Sequence, residues 1–182
     1  ATPDGIKAKK IGERFGAAYS TSDTDEVLND PNINAVIIAT RHDTHVPLAV
    51  KALNSGKHVF VEKPLALNRE QLDEIIAAYE KSGAEVVVDF NRRKAPLVVG
   101  MKEILSSRMR PLNMVYRINA GFIDKGSWVQ DINQGGGRII GEVCHFVDLM
   151  QYMCGGKPVE VHAIDAAADD EQRMNRDNIV VN

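Results

Sequence analysis

The sequence predicts an α/β fold built on a parallel sheet, followed by an α+β region with alternating strands. Three observations lead there. Short apolar runs recur at Ala35-Val-Ile-Ile-Ala39, His58-Val-Phe-Val61 and Glu85-Val-Val-Val-Asp89, with the length and β-branching of strands buried on both faces. Helical spacing fills the intervals, so strand, helix and strand repeat as βαβ units of a doubly wound domain. After Asp89 the rhythm changes, and Asn113-Met-Val-Tyr-Arg-Ile-Asn119 alternates as a half-exposed strand does. The expected division is residues 1–90 for the parallel-sheet domain and 91–182 for the second.

The first element is a helix over Gly5–Phe15, introduced by Thr2-Pro3-Asp4 with Pro at the first helical position. The strand at Ala35 follows. Thr44 is placed to cap a helix to about Asn54, which Gly56 ends in the left-handed conformation before the strand at His58. Asn68 and Gln71 make a capping-box-like pair for a helix to about Ser82, and Gly83 terminates it. A further helix is expected over Pro96–Ser106. The turn Gly135-Gly136-Gly137 then leads into a helix reaching about Met153, closed by Gly155-Gly156, with strands at Val159–Ile164 and Ile179–Val181.

The 182 residues carry 22 Lys plus Arg against 25 Asp plus Glu, a formal net charge of −3, and are 44% hydrophobic. That apolar share argues for a buried core and against disorder. A mildly acidic chain without a basic block argues against nucleic acid as the main partner. The longest apolar runs fall far short of the ~20 residues of a membrane-spanning helix. Cys144 and Cys154 belong to no CxxC pair, so two small buried thiols in a reducing cytoplasm are expected rather than a disulfide. The opening residues lack the apolar region and cleavage site of a secretory signal.

A GxGxxG turn, the usual cradle for a dinucleotide pyrophosphate, is absent from these residues. Gly135 and Gly137 approach it, but Ile140 stands where the third glycine belongs, so the expected role of that turn is steric. Lys63 lies just beyond a parallel strand, at the carboxyl edge where open α/β sheets bind ligands. Its ammonium there either stabilises a developing alkoxide or is a solvated surface charge. His145 suits general-base work, since imidazole has a pKa of about 6.5, or is a packed helix residue. His42, His45, Glu62, Glu142 and His145 are of metal-binding type but lack close ligand spacing, and no metal is expected. Trp128 is either a core aromatic or a sugar platform.

Three segments together resemble the Gfo/Idh/MocA oxidoreductases, the group of glucose-fructose oxidoreductase and inositol dehydrogenase. They are Ala39-Thr40 with His42 and His45 in the turn beyond, Gly56-Lys-His-Val-Phe-Val-Glu-Lys-Pro-Leu-Ala66, and Gly135-Gly-Gly-Arg-Ile-Ile-Gly-Glu-Val-Cys-His145-Phe-Val-Asp148. Phe90-Asn-Arg-Arg93 matches as well, so the likeness covers nearly the whole chain. It implies a Rossmann-like domain followed by an open, mainly antiparallel sheet, an NAD or NADP cofactor, and a cytoplasmic homo-oligomer. The implied reaction oxidises a secondary hydroxyl of a sugar, cyclitol or nucleotide sugar, or runs in reverse.

By the same resemblance, Ala39, Thr40, His42, His45, Glu62 and Lys63 border the cofactor, with Thr40 and His45 along the nicotinamide ribose. Lys63 holds the reacting oxygen, His145 takes the proton, and Asn91, Arg92 and Trp128 face the substrate. The family commonly has a carboxylate one helical turn before this histidine, where Gly141 stands here, and Glu142 is the acid expected to orient or tune the imidazole. The likeness also implies that the chain starts after the second Rossmann strand and stops within the second domain. In that state it is expected to be inactive and to bind dinucleotide poorly. The alternative is a non-catalytic fragment or family member serving as an oligomeric interaction module.

Overall fold

The structure, a computed structural model, describes residues 1–165 and 178–182. Helix α1 spans Gly5–Phe15 and is capped by Asp4, whose carboxylate accepts from the Lys7 N–H at 3.0 Å. Pro3 therefore precedes the cap instead of occupying the first helical position, because Asp4 offers the side-chain acceptor that a cap requires. A short helix α2 (Thr24–Asn29), not anticipated from the sequence, is capped by Asp23 and carries Asp25 and Glu26 in its first turn. Both charges suit the positive end of the helix dipole.

Strands β1 (Ala35–Ile38), β2 (His58–Glu62) and β3 (Val86–Asp89) form a parallel sheet in the order β1-β2-β3. Helix α3 (His45–Asn54) connects the first pair and α4 (Arg69–Ser82) the second, and the two helices pack on each other. Ile38, Val59 and Val61 from the sheet meet Val46, Ala49 and Leu53 of α3 and Ile75 and Ala78 of α4 in one core. Register places Ile37, Phe60 and Val87 in a row on the opposite face, where they are 78%, 38% and 51% exposed. The strands are thus buried on one face and not on both. Both crossover helices lie on the same side, and no second layer covers the other among the described residues.

The helix ends follow side-chain chemistry. Thr44 does not cap α3: its hydroxyl donates to the Arg41 carbonyl at 2.7 Å and accepts from the Thr40 hydroxyl at 2.5 Å. A 3₁₀ turn over His42–Thr44 leads into the helix instead. Asn68 caps α4 as expected, accepting from the Gln71 N–H at 2.9 Å, while the Gln71 side chain reaches back to the Leu67 N–H at 2.8 Å. Gly83 closes α4 at φ 66°. Asn68→Ala is expected to cost about 1 kcal/mol, read as a lowered urea midpoint at unchanged slope.

A 3₁₀ turn over Asn91–Lys94 precedes α5 (Pro96–Ser106), which begins on its proline. Residues 113–119 form no ladder. Alternation made them a candidate strand, but none of the described residues pairs with them, and Tyr116 instead stacks on Phe146 at 5.2 Å. A π-helical turn, Ile139–Val143, runs into α6 (Cys144–Cys154), which Gly155 closes at φ 74°. Strands β4 (Ala163–Asp165) and β5 (Ile179–Val181) pair antiparallel. The strand expected from Val159 therefore starts only where β5 supplies a partner. Among the described residues no helix is long and apolar enough to cross a membrane.

Candidate functional site

The carboxyl ends of β1 and β2 bring the first group of residues together. Ala39 and Thr40 are exposed just past β1, Glu62 ends β2, and Lys63 follows it. The Lys63 ammonium donates to the Gly141 carbonyl oxygen at 2.7 Å, linking the sheet edge to the widened turn that precedes α6. Gly141 packs closely on the His42 turn. A Cβ there would lie 3.3 Å from His42 Cε1 and 3.4 Å from the Gly135 carbonyl oxygen.

His42 anchors the same meeting point from the other side. Its Nδ1–H donates to the Gly135 carbonyl at 2.8 Å, and Trp128 packs edge-on against its ring at 4.9 Å. Burial lowers the pKa of His42, partly offset by that hydrogen bond, so the ring is neutral at pH 7. The Arg41 guanidinium lies 5.6 Å from the Trp128 ring centre and donates to Gln134 at 2.9 Å. Trp128 therefore packs on the loop after β1 through His42 and Arg41. The turn is no phosphate cradle, because its amides are engaged internally. Those of Gly135 and Gly136 donate to the Asp131 carbonyl at 2.8 and 3.0 Å, and that of Gly137 to Val129 at 3.1 Å.

His45 does not face a ribose. It has no exposed surface, and its ring nitrogens lie 2.8 Å from the Pro64 carbonyl and 3.2 Å from that of Thr40. Its one ring N–H donates to one of these carbonyls, and burial leaves no ring atom open to a ligand. The family-like pattern made it a candidate; burial decides against that role.

His145 lies in the first turn of α6, 8% exposed, with Phe90 edge-on at 6.3 Å. Its buried Nδ1 has no hydrogen-bond partner, an arrangement that native structures seldom keep without a use. Burial pushes its pKa down, and Lys63 and Arg92 push it further, while Asp89 and Asp148 partly oppose them. The imidazole is consequently neutral near pH 7 and able to accept a proton. Glu142, expected to tune this ring, instead pairs with Arg138 at 3.2 Å, one turn back along the chain. Arg138 also holds the Gly121 carbonyl at 2.7 Å. Burial raises the Cys144 thiol pKa, while the nearby Lys63 charge opposes that shift.

Asn91 and Arg92 are exposed on the turn after β3, with the Arg92 guanidinium 4.8 Å over the Phe146 ring. Among the described residues no group of three or more His, Cys, Asp or Glu is placed to hold a metal. Sequence reasoning quoted Arg93 and Asp148 within family-like segments but gave them no role, and they form an ion pair beside His145. The available signal was the spacing of His145 and Asp148 on one helix face. The residues present suit the nicotinamide end of a dinucleotide: exposed Ala39 and Thr40 at a parallel-sheet edge, an ammonium just past the adjacent strand, and an imidazole on the helix that follows the Lys63–Gly141 contact.

Comparison with known proteins agrees with this arrangement. Residues 1–90 match the model of the Gfo/Idh/MocA family, described as an oxidoreductase family with an NAD-binding Rossmann fold. Myo-inositol 2-dehydrogenase of Thermotoga maritima is 29% identical over 91% of this chain and 49% of its own length. The scyllo-inositol 2-dehydrogenase (NAD(+)) of Bacillus subtilis is 31% identical over 85% and 45%. Among solved structures, GenD2 from gentamicin A biosynthesis in complex with NAD is 29% identical, with a TM-score of 0.78 over 98% of this chain and 52% of that one. Levoglucosan dehydrogenase with NADH and levoglucosan is 26% identical, with a TM-score of 0.76 over 92% and 47%. The chain spans about half the length of the curated relatives it matches. Through the Rossmann fold of its first 90 residues and the sequence likeness that continues beyond them, the chain belongs to the Gfo/Idh/MocA oxidoreductase family.

Proposed function

We propose that the protein carrying this chain transfers a hydride between a nicotinamide dinucleotide and a secondary hydroxyl, or the matching ketone, of a sugar, cyclitol or nucleotide-linked sugar. The observation that carries this reading is the 2.7 Å bond from Lys63 Nζ to the Gly141 oxygen. It holds an ammonium from the sheet edge against the turn that leads to His145, whose Nδ1 is without a partner. Relatives named as dehydrogenases of inositols and of levoglucosan support the substrate class.

Ala39, Thr40, His42 and Glu62 would border the nicotinamide, which when bound would supply the hydride acceptor or donor. Lys63 keeps two further N–H donors for a substrate oxygen and stabilises the alkoxide that develops there. His145, neutral because it is buried among cations, takes the hydroxyl proton onto its ring. Asn91 and Arg92, exposed next to it, orient the rest of the substrate. Glu142, occupied by Arg138, contributes only through its charge. The division at residue 90 separates cofactor residues from substrate residues, and the family match over residues 1–90 supports it.

The test is turnover by the full-length gene product with NAD or NADP and a panel of polyols, cyclitols and nucleotide sugars, followed by the absorbance of the reduced nicotinamide. Lys63→Met is expected to lower kcat/KM by a factor on the order of 10²–10³, the scale of one preorganised charge-stabilising donor. Absence of hydride transfer with the whole panel would reject the reading. A homo-oligomer is part of the proposal, and the two free cysteines fit a reducing compartment. Sedimentation as a monomer would reject the oligomer.

A further inference from the structure

Two arginines stand side by side on the turn after β3, and they are engaged differently. Arg92 lies over Phe146, exposed. Arg93 forks onto Asp148: its Nε donates to Oδ2 at 2.7 Å and its Nη2 donates to Oδ1. The Phe90 and Tyr152 rings flank the Arg93 guanidinium at 6.0 and 5.5 Å. The Asp148 side chain is only 7% exposed and lies one turn along α6 from His145, so the two share a helix face. Phe90 touches both partners, since it also meets the His145 ring edge-on.

We propose that Arg93 is a positioning residue for His145: its fork on Asp148 fixes the turn after β3 to the helix face that carries the imidazole, and neutralises the buried carboxylate beside that ring. The kinetic part of this inference rests on reading His145 as the base. A planar guanidinium making two parallel bonds sets rotation as well as distance, which a lysine, a point charge on a flexible stem, does not. The fork is therefore suited to holding α6 at one angle over the sheet edge.

The charges that face His145 come from several elements. Lys63 after β2 and Arg92 after β3 disfavour its protonated form, and Asp89 at the end of β3 and Asp148 on α6 favour it, against a background of burial. With Arg93 in place, the Asp148 charge is balanced by its own partner. Without Arg93, an uncompensated carboxylate sits one turn from the ring and stabilises the imidazolium. The His145 pKa then rises, so that at a given pH less of the ring is in the basic form.

The experiment is a pH titration of the His145 ring by NMR in the full-length product labelled with ¹³C-histidine, the signal being assigned by its loss in His145→Gln. Arg93→Met should raise the midpoint by about half a pH unit or more, the scale of one nearby charge. Arg93→Lys should fall between it and the parent, and Arg93→Met combined with Asp148→Asn should return close to the parent value. Asp148→Asn alone, which serves if Arg93→Met does not fold, should lower the midpoint. An unmoved midpoint in a folded Arg93→Met, or the same rise in the double variant, would overturn the inference. Kinetics separate the two readings: a moved midpoint with an unmoved acid limb of kcat/KM supports the fork and rejects His145 as the base.

Discussion

Replacing His145 in the full-length protein is expected to lower kcat by ~100-fold or more, the usual scale for a positioned acid-base group. His145→Gln is the informative change, because it keeps volume and hydrogen bonding in a buried site while removing the titration. Circular dichroism should match the parent. Glu142→Gln should cost far less, since that carboxylate is engaged by Arg138 at 3.2 Å. The pH profile gives an independent check. Burial and two cations hold the His145 pKa below its ordinary value, so the base stays competent as pH falls, and the acid limb of kcat/KM should lie below pH ~6.5. A limb well above that value, or retained turnover in His145→Gln, would remove the ring from the proton step and leave Lys63 as the remaining candidate.

Local features of this chain were legible in the sequence, and contacts made across it were not. The cap at Asn68, the left-handed closures at Gly83 and Gly155 and the proline start of α5 depend on residues within one turn of each other. The three apolar runs were read as strands, yet their burial was misjudged, because a strand's sequence carries no information on which side its crossover helices fall. His45 illustrates a second limit. A histidine after a parallel strand has the right chemistry for a ligand, and only the fold shows that His45 is wholly buried against the Pro64 and Thr40 carbonyls. Lys63 and His145 were singled out because a family-like pattern surrounds each, whereas Arg93 and Asp148 meet only through the packing of α6 against the turn after β3.

Gly135→Ala is expected to be the most destabilising single-methyl change in the chain, at about 3 kcal/mol. A Cβ at this position would lie 2.3 Å from the Val129 carbonyl oxygen, 2.5 Å from its Cα and 2.6 Å from the Trp128 carbonyl oxygen. All three are backbone atoms, so no side-chain rotation relieves the clash, and the turn must open. Opening it also disturbs the Gly135 carbonyl that fixes His42 and the amides that close on Asp131. Gly137→Ala is the control, for there φ is +69° but a Cβ would meet nothing. It should cost only the left-handed strain of about 1 kcal/mol. For a chain of this size each kcal/mol lowers Tm by roughly 2–4 °C, which makes the expected losses roughly 6–12 °C and 2–4 °C in thermal unfolding. Equal losses would mean that backbone conformation alone sets this turn. Unequal losses in the stated order mean that Gly135 is there to let two backbones touch, which brings Trp128, His42 and the start of the His145 helix to one place.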